Sequence, residues 1–240
     1  MIRAHLATFP PRRRILRRAV EAIVPQVDHL FVVLNGYEKV PGYLRKDDRI
    51  TAIIPDRDVK DAGKFWFAPA PDDVVFLIDD DIAYPPDYVA RTLAQLRAIG
   101  AEANVVGYYG IAFGLAGLIP WRAFLFPQAL EEIRGVSLIG TGTFCGLGRN
   151  IPTLHEMEPF AGYVDHGISH WLQQRQILPW VLPRARKWLR NALPRNLRDT
   201  SLFQSVHRAA LPEVLAKGRA FLTGWPHANH VFDASRPYSL

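Results

Sequence analysis

At 240 residues, with 49% hydrophobic and 22% charged side chains, the chain reads as one soluble globular domain around a single large core, two small domains being the lesser option. No apolar run reaches the roughly 18 to 20 residues that cross a bilayer, and the start, with Arg12-Arg13-Arg14 beyond Pro10-Pro11, lacks the apolar segment of a secretory signal, so a cytoplasmic location is expected. Cys145, the single cysteine, excludes an internal disulfide, and the formal charge of +6 suits anionic partners such as nucleotide diphosphates, membrane headgroups or nucleic acid.

In chain order, residues 2–8 form a first strand, and Pro10-Pro11 forces a loop before a helix over 12–24 that carries Ile15, Leu16, Ala19, Val20 and Ile23 on one face. Leu30-Phe31-Val32-Val33-Leu34 is a second, buried strand, turned outward by Asn35-Gly36, and residues 50–54 form a third, closed by Pro55. Strand, helix, strand, polar loop and strand is the opening of a nucleotide-binding α/β half with right-handed crossovers. The acids between Asp56 and Lys64 follow the third strand and are either ligand groups or the caps of a surface turn.

Residues 74–88 hold the strongest signal. Val74-Val75-Phe76-Leu77-Ile78 has no polar side chain and reads as a strand buried on both faces, as in a parallel sheet. Asp79-Asp80-Asp81 then stand at its carboxyl end, where open α/β sheets form their ligand crevice. Three adjacent carboxylates against an apolar strand end raise one another's pKa unless a cation neutralises them. A hard divalent ion that also touches substrate phosphates is the expected partner; a solvated, capped turn is the plain alternative. Pro85-Pro86-Asp87 opens a helix, with Pro86 in its first turn and Val89, Leu93 and Leu96 as its buried stripe.

Residues 104–112 form a further strand. The apolar, Gly- and aromatic-containing stretch 113–126 is either an acceptor-side or membrane-facing loop or a buried connection. A short strand over 136–139 leads to Gly140-Thr141-Gly142-Thr143, where the glycines permit close backbone approach and the hydroxyls reach a sugar or phosphate oxygen. The helix that starts from 160 carries Val164, Ile168, Trp171 and Leu172 as a core stripe, with Asp165 beside it. His166 and His170 stand four apart, but no Glu follows the first as in a zinc-protease helix, so a catalytic zinc is not expected. Arg184, Arg186, Lys187 and Arg190 alternate with apolar residues in a segment that covers a diphosphate, presses on anionic lipid, or is a solvated face. The same solvated-face alternative holds for Arg12, Arg13, Arg14, Arg17 and Arg18, while residues 193–200 read as a flexible loop.

A strand ending in Asp79-Asp80-Asp81 and followed by Tyr84-Pro85-Pro86-Asp87-Tyr88 resembles the nucleotide-sugar site of GT-A-type glycosyltransferases, close to the family 2-like enzymes that include bacterial glycosaminoglycan- and capsule-type polymerase domains. Ala7-Thr8-Phe9-Pro10-Pro11-Arg12, Pro25-Gln26-Val27-Asp28, Leu34-Asn35, Gly63-Lys64-Phe65 and Gly140-Thr141-Gly142-Thr143 resemble the same group in the same order. The resemblance implies an α/β fold of GT-A (Rossmann-like) type, a mostly parallel sheet flanked by helices. It places one domain over 1–190, with a nucleotide-binding half to 100 and an acceptor half from 101, and a C-terminal extension over 191–240 packed on it.

By the same resemblance the activity is a metal-dependent, inverting glycosyl transfer from a UDP-sugar to a glycan or other hydroxyl acceptor, with Mn²⁺ or Mg²⁺ as cofactor. Asp81 would bind the metal, with Asp79 near the ribose or the metal. Thr8, Asn35, Asp56 or Asp58, Lys64, Asp79, Asp80, Gly140 and Thr141 would line the nucleotide, an acid at 56 or 58 meeting the uracil edge and Lys64 packing along base and ribose. Asp165 would be the general base, and His207, His227 or His230 a further metal ligand. The chain departs from the group's pattern in lacking extra glycines before Gly63 and in placing Tyr109 where relatives often have His.

Two other classes fit less well. Nucleotidyl transfer onto a sugar phosphate normally uses a Gly-rich basic loop directly after the first strand, which Thr8-Phe9-Pro10-Pro11 is not. A basic nucleic-acid-binding protein leaves the acid triplet unexplained, since three carboxylates repel phosphates, so no nucleic-acid partner is expected. A peripheral contact with the inner face of an anionic membrane remains an expected partner surface.

Overall fold

The computed structural model describes residues 1–113, 122–200 and 231–232. β1 (Ile2–Thr8) and β2 (His29–Leu34) are parallel, paired from Arg3 opposite His29 to Thr8 opposite Leu34, and α1 (Arg13–Ile23) connects them. The expected stripe of Ile15, Leu16, Ala19, Val20 and Ile23 is buried. Tight 3-10 turns over Pro10–Arg12 and Val24–Gln26 flank the helix, because prolines near the start of each turn lack the amide that would continue an α-helical ladder. β3 (Ile50–Ile53) adds parallel to β2, and β4 (Val74–Ile78) adds parallel to the other side of β1. Val75, Phe76, Leu77 and Ile78 are inaccessible, which is why this run carries no polar residue before its acids.

β5 (Ile82–Ala83) follows the acid triplet, and α2 (Tyr88–Ile99) begins only after Asp87. Pro85 and Pro86 therefore precede the helix instead of forming its first turn, while Val89, Leu93 and Leu96 are buried as expected. The second half contains β6 (Asn104–Gly107), β7 (Gly110–Ala112), β8 (Arg122–Phe124), β9 (Arg134–Gly135), β10 (Leu138–Ile139), β11 (Thr143–Leu147), α3 (Leu154–Met157), α4 (Val164–Gln174), β12 (Leu178–Val181) and β13 (Arg190–Asn191).

The large sheet has the order β3-β2-β1-β4-β11-β6-β12-β9. β11 runs antiparallel to β4 and β6, and β9 antiparallel to β12; the other neighbours are parallel. The result is a mixed α/β fold of Rossmann-like kind. Several expected elements are divided. Residues 104–112 split because the Tyr108 amide is diverted to the Thr143 hydroxyl at 2.9 Å, leaving β6 in the large sheet and β7 in a small sheet ordered β10-β7-β8. The expected strand over 136–139 likewise divides: β9 ends before it, and β10 covers only its last two residues.

Residues 193–200 are not a free loop: Arg195–Thr200 forms a 3-10 turn, and just before it β13 pairs with β5. Residues 114–121, and His207, His227 and His230, lie outside the described residues. Among the described residues no helix is long and apolar enough to cross a membrane.

A buried polar node sits on β1, before the chain reaches Thr8 and the acids. His5 Nδ1 lies 2.8 Å from the Lys64 carbonyl oxygen, and Arg3 Nε donates to His5 Nε2 at 2.9 Å. Since a carbonyl only accepts, the proton sits on Nδ1 and the ring is neutral. Burial, with Arg3 beside it, lowers the His5 pKa to about 3. Between about pH 6.5 and 3 the unfolded chain thus binds a proton that the folded chain refuses, and stability falls with falling pH by about 1.4 kcal/mol per unit from this group. His5→Gln is expected to flatten the rise of unfolding free energy with pH by that slope between pH 4 and 6. Urea titrations of both proteins at each pH check it, and identical slopes refute it.

Candidate functional site

The carboxyl ends of β1, β2 and β4 and the start of β11 converge on the acid triplet. As the chain leaves β4, Tyr84 locks the turn: its hydroxyl accepts the Asp79 amide at 2.8 Å and donates to the Gly142 carbonyl at 2.7 Å. The three carboxylates then part. Asp80 is 5% exposed; Thr8 Oγ1 donates to its Oδ2 at 2.6 Å and Arg12 Nη1 to its Oδ1 at 2.8 Å. The same Nη1 donates to Asp81 Oδ2 at 2.7 Å. Asp79 pairs instead through Oδ1 with the ammonium of Lys64. The side chains of Asp79 and Asp81 remain 39% and 20% exposed.

These contacts correct two expectations. Asp80 has both oxygens engaged by the protein and is not open to a nucleotide; it holds Arg12. Lys64 is 2% exposed, so it does not lie along a base and ribose but beneath the site. Its Nζ also donates to Thr141 Oγ1 at 3.0 Å, and Thr141 in turn donates its hydroxyl at 2.7 Å and its amide at 2.8 Å to Asp165 Oδ1. A continuous chain of hydrogen bonds therefore runs from Asp79 through Lys64 and Thr141 to Asp165. Asp165 is the second residue of α4, yet its carboxylate is committed to Thr141 and does not cap its own helix.

The other expected nucleotide contacts stand in different surroundings. Asn35 is buried, accepting the Val59 amide at 3.0 Å and donating to the Lys60 carbonyl at 2.9 Å. Asp58 closes a local turn onto the Lys60 amide at 2.9 Å, and Asp56 pairs with its neighbour Arg57 at 3.0 Å, both on the exposed surface. A Cβ on Gly140 would lie 2.3 Å from the Tyr109 ring, and one on Gly142 would lie 2.2 Å from Asp79 Oδ2. Both positions need glycine so that these protein side chains can approach the backbone.

The basic segment also changes meaning. Arg184 is buried and donates to the carbonyls of Leu125, Gln128 and Leu182, so it cannot belong to a diphosphate- or lipid-binding face. Three carbonyls accept from three of its nitrogens, which offsets part of the cost of burying a guanidinium, and burial lowers its pKa to about 10. His166 and His170 both lie in α4, and among the described residues no group of three or more His, Cys, Asp or Glu side chains could hold a metal by itself.

Arg12 and Lys64 are the cations that the acid triplet required, and neither was assigned that role from the sequence. Arg12 did carry a signal: at the N-cap of α1 it stands four residues before Leu16, in line with the helix's buried stripe. Its Nε and Nη2 also donate to the Thr200 hydroxyl and carbonyl at 3.0 and 3.1 Å, tying the C-terminal turn to the site. Two cations against the three carboxylates leave negative charge, and Asp61 and Asp165 add to it nearby. Burial raises Asp80 to about 7 and Asp61 to about 6, and burial together with Asp79 raises Asp81. Further positive charge is favoured here. Among the described residues Asp79 Oδ2 and Asp81 Oδ1 have no hydrogen-bond donor, which leaves one oxygen on each for a ligand.

No protein-family model matches the chain, and no curated protein matches it.

Proposed function

We propose that the chain is a GT-A-type glycosyltransferase that moves a sugar from a UDP-sugar to a hydroxyl acceptor with Mn²⁺ or Mg²⁺. The observation that supports this reading is the line Asp79, Lys64, Thr141, Asp165, which joins an acid at the end of a central strand to a second acid whose other oxygen meets no donor among the described residues. The donor set fits a hard divalent ion brought by a diphosphate: Asp79 and Asp81 would each offer it one oxygen, a protein share that is ordinary for Mg²⁺. When bound, such an ion neutralises charge gathering on the UDP leaving group. Lys64 holds Asp79 in place from below, and Arg12 does the same for Asp81. Thr141 anchors one oxygen of Asp165, leaving the other to accept the proton of the attacking hydroxyl. Attack opposite UDP inverts the anomeric centre.

The test is calorimetric titration of UDP with Mn²⁺ and with EDTA. The wild-type chain is expected to lose at least about tenfold in affinity under EDTA, whereas Asp81→Ala binds weakly in both conditions, because one of two carboxylate ligands is gone. Equal wild-type affinity with and without the ion removes the metal assignment.

A further inference from the structure

Asp61 lies in the 3-10 segment Lys60–Phe65, three residues before Lys64, but its carboxylate reaches out of that element. Oδ1 accepts the Gly162 amide, and the Val164 amide points at Oδ2 from 3.4 Å. These are donors at the start of α4, whose own N-cap residue, Tyr163, makes no side-chain cap. A carboxylate there also meets the positive end of the helix dipole. The segment is gripped from behind by Asn35, which bonds both sides of the Val59–Lys60 link and holds Lys60 in the left-handed region at φ 49°. From the same segment Lys64 reaches Asp79 and Thr141. One short element therefore clamps the acid triplet with one side chain and the first turn of α4 with another.

We propose that Asp61 is a positioning residue: it sets the first turn of α4, and with it Asp165, relative to Asp79. The inference rests on the glycosyltransferase reading for its kinetic consequence, while its structural consequence stands independently. Thr141 fixes Asp165 Oδ1 by its hydroxyl and its amide, and four residues on the Ser169 hydroxyl accepts the Ile139 amide, so α4 is held along its buried face while amides at its start still need acceptors. The Asp61 carboxylate supplies these acceptors and so fixes the start of the helix. Asp61 touches neither proposed substrate nor ion, and it acts on Asp165 by setting the first turn of α4.

The experiment compares wild type, Asp61→Asn and Asp61→Ala in the full chain. Amide hydrogen exchange at residues 162 and 164–166 is expected to quicken about 2- to 30-fold in Asp61→Ala, the range for a lost helix cap, with partial recovery in Asp61→Asn, which keeps one acceptor oxygen. UDP affinity with Mn²⁺ should hold, while kcat falls about 10- to 100-fold at unchanged donor KM, the signature of a misplaced group rather than a lost binding contact. Unchanged exchange at these amides overturns the proposal, as does faster exchange with unchanged kcat. If the wild-type chain transfers no sugar, the glycosyltransferase reading falls and the exchange result alone decides whether Asp61 sets α4. Should Asp61→Ala not fold, Asp61→Asn provides the same comparison at smaller amplitude.

Discussion

Asp165→Asn is expected to lower sugar transfer by about 10² to 10⁴ while leaving UDP affinity and melting temperature close to wild type, because general-base catalysis is typically worth that much. The structure makes this substitution informative. Asp165 Oδ1 is held by the amide and hydroxyl of Thr141. An asparagine can present its own carbonyl oxygen to those two donors, so the local hydrogen bonds survive. What is lost is the second oxygen, which becomes an amide nitrogen with no basic lone pair. A purely structural Asp165 predicts retained transfer. Measuring transfer, UDP affinity and thermal stability on one preparation separates the two, and retained transfer removes Asp165 from the mechanism.

The second large effect is on stability. Arg12→Met is expected to destabilise the fold by about 3–5 kcal/mol, since truncating one partner of a buried ion pair strands the other charge. Here the stranded group is Asp80, 5% exposed, with Thr8 as its remaining donor. At this chain length the loss corresponds to a melting-temperature drop of about 10 °C. Arg12→Lys keeps the charge but not the planar fork that serves Asp80, Asp81 and Thr200 together, so it should fall between the two. Adding Asp80→Asn to Arg12→Met should recover much of the loss by removing the stranded charge. A loss below about 1 kcal/mol for Arg12→Met would put the pair in the class of exposed ion pairs and refute its structural role.

Much of the scaffold could be read from local pattern. The apolar spacing of α1 named its five buried residues, and the unbroken run Val74 to Ile78 identified β4 as buried with Asp79, Asp80 and Asp81 at its end. Both follow from physics inside one element: a helix repeats every 3.6 residues, and a strand covered on both faces tolerates no polar side chain. β11 escaped because Thr143-Phe144-Cys145-Gly146-Leu147 follows a Gly-rich stretch without alternation, and it becomes a strand only by filling the space between β4 and β6. The break between β6 and β7 escaped for a similar reason: the Thr143 hydroxyl that takes the Tyr108 amide belongs to a distant part of the chain.

The need for positive charge at the acid triplet was likewise determined by the sequence alone, since three neighbouring carboxylates repel wherever they are placed. The identity of the first cations was decided by tertiary structure. Arg12 and Lys64 meet their acids across 68 and 15 residues of chain, and Lys64 meets Thr141 across 77. No periodicity links such positions. The same packing turned Asp80, Asn35 and Arg184 from expected ligand contacts into internal struts, because a polar side chain carried below the surface must find protein partners in place of water. Residue types and their order thus determined the chemistry available at this edge of the sheet, while the parallel pairing of β1 with β2 and β4 decided which of those groups face each other and which face outward.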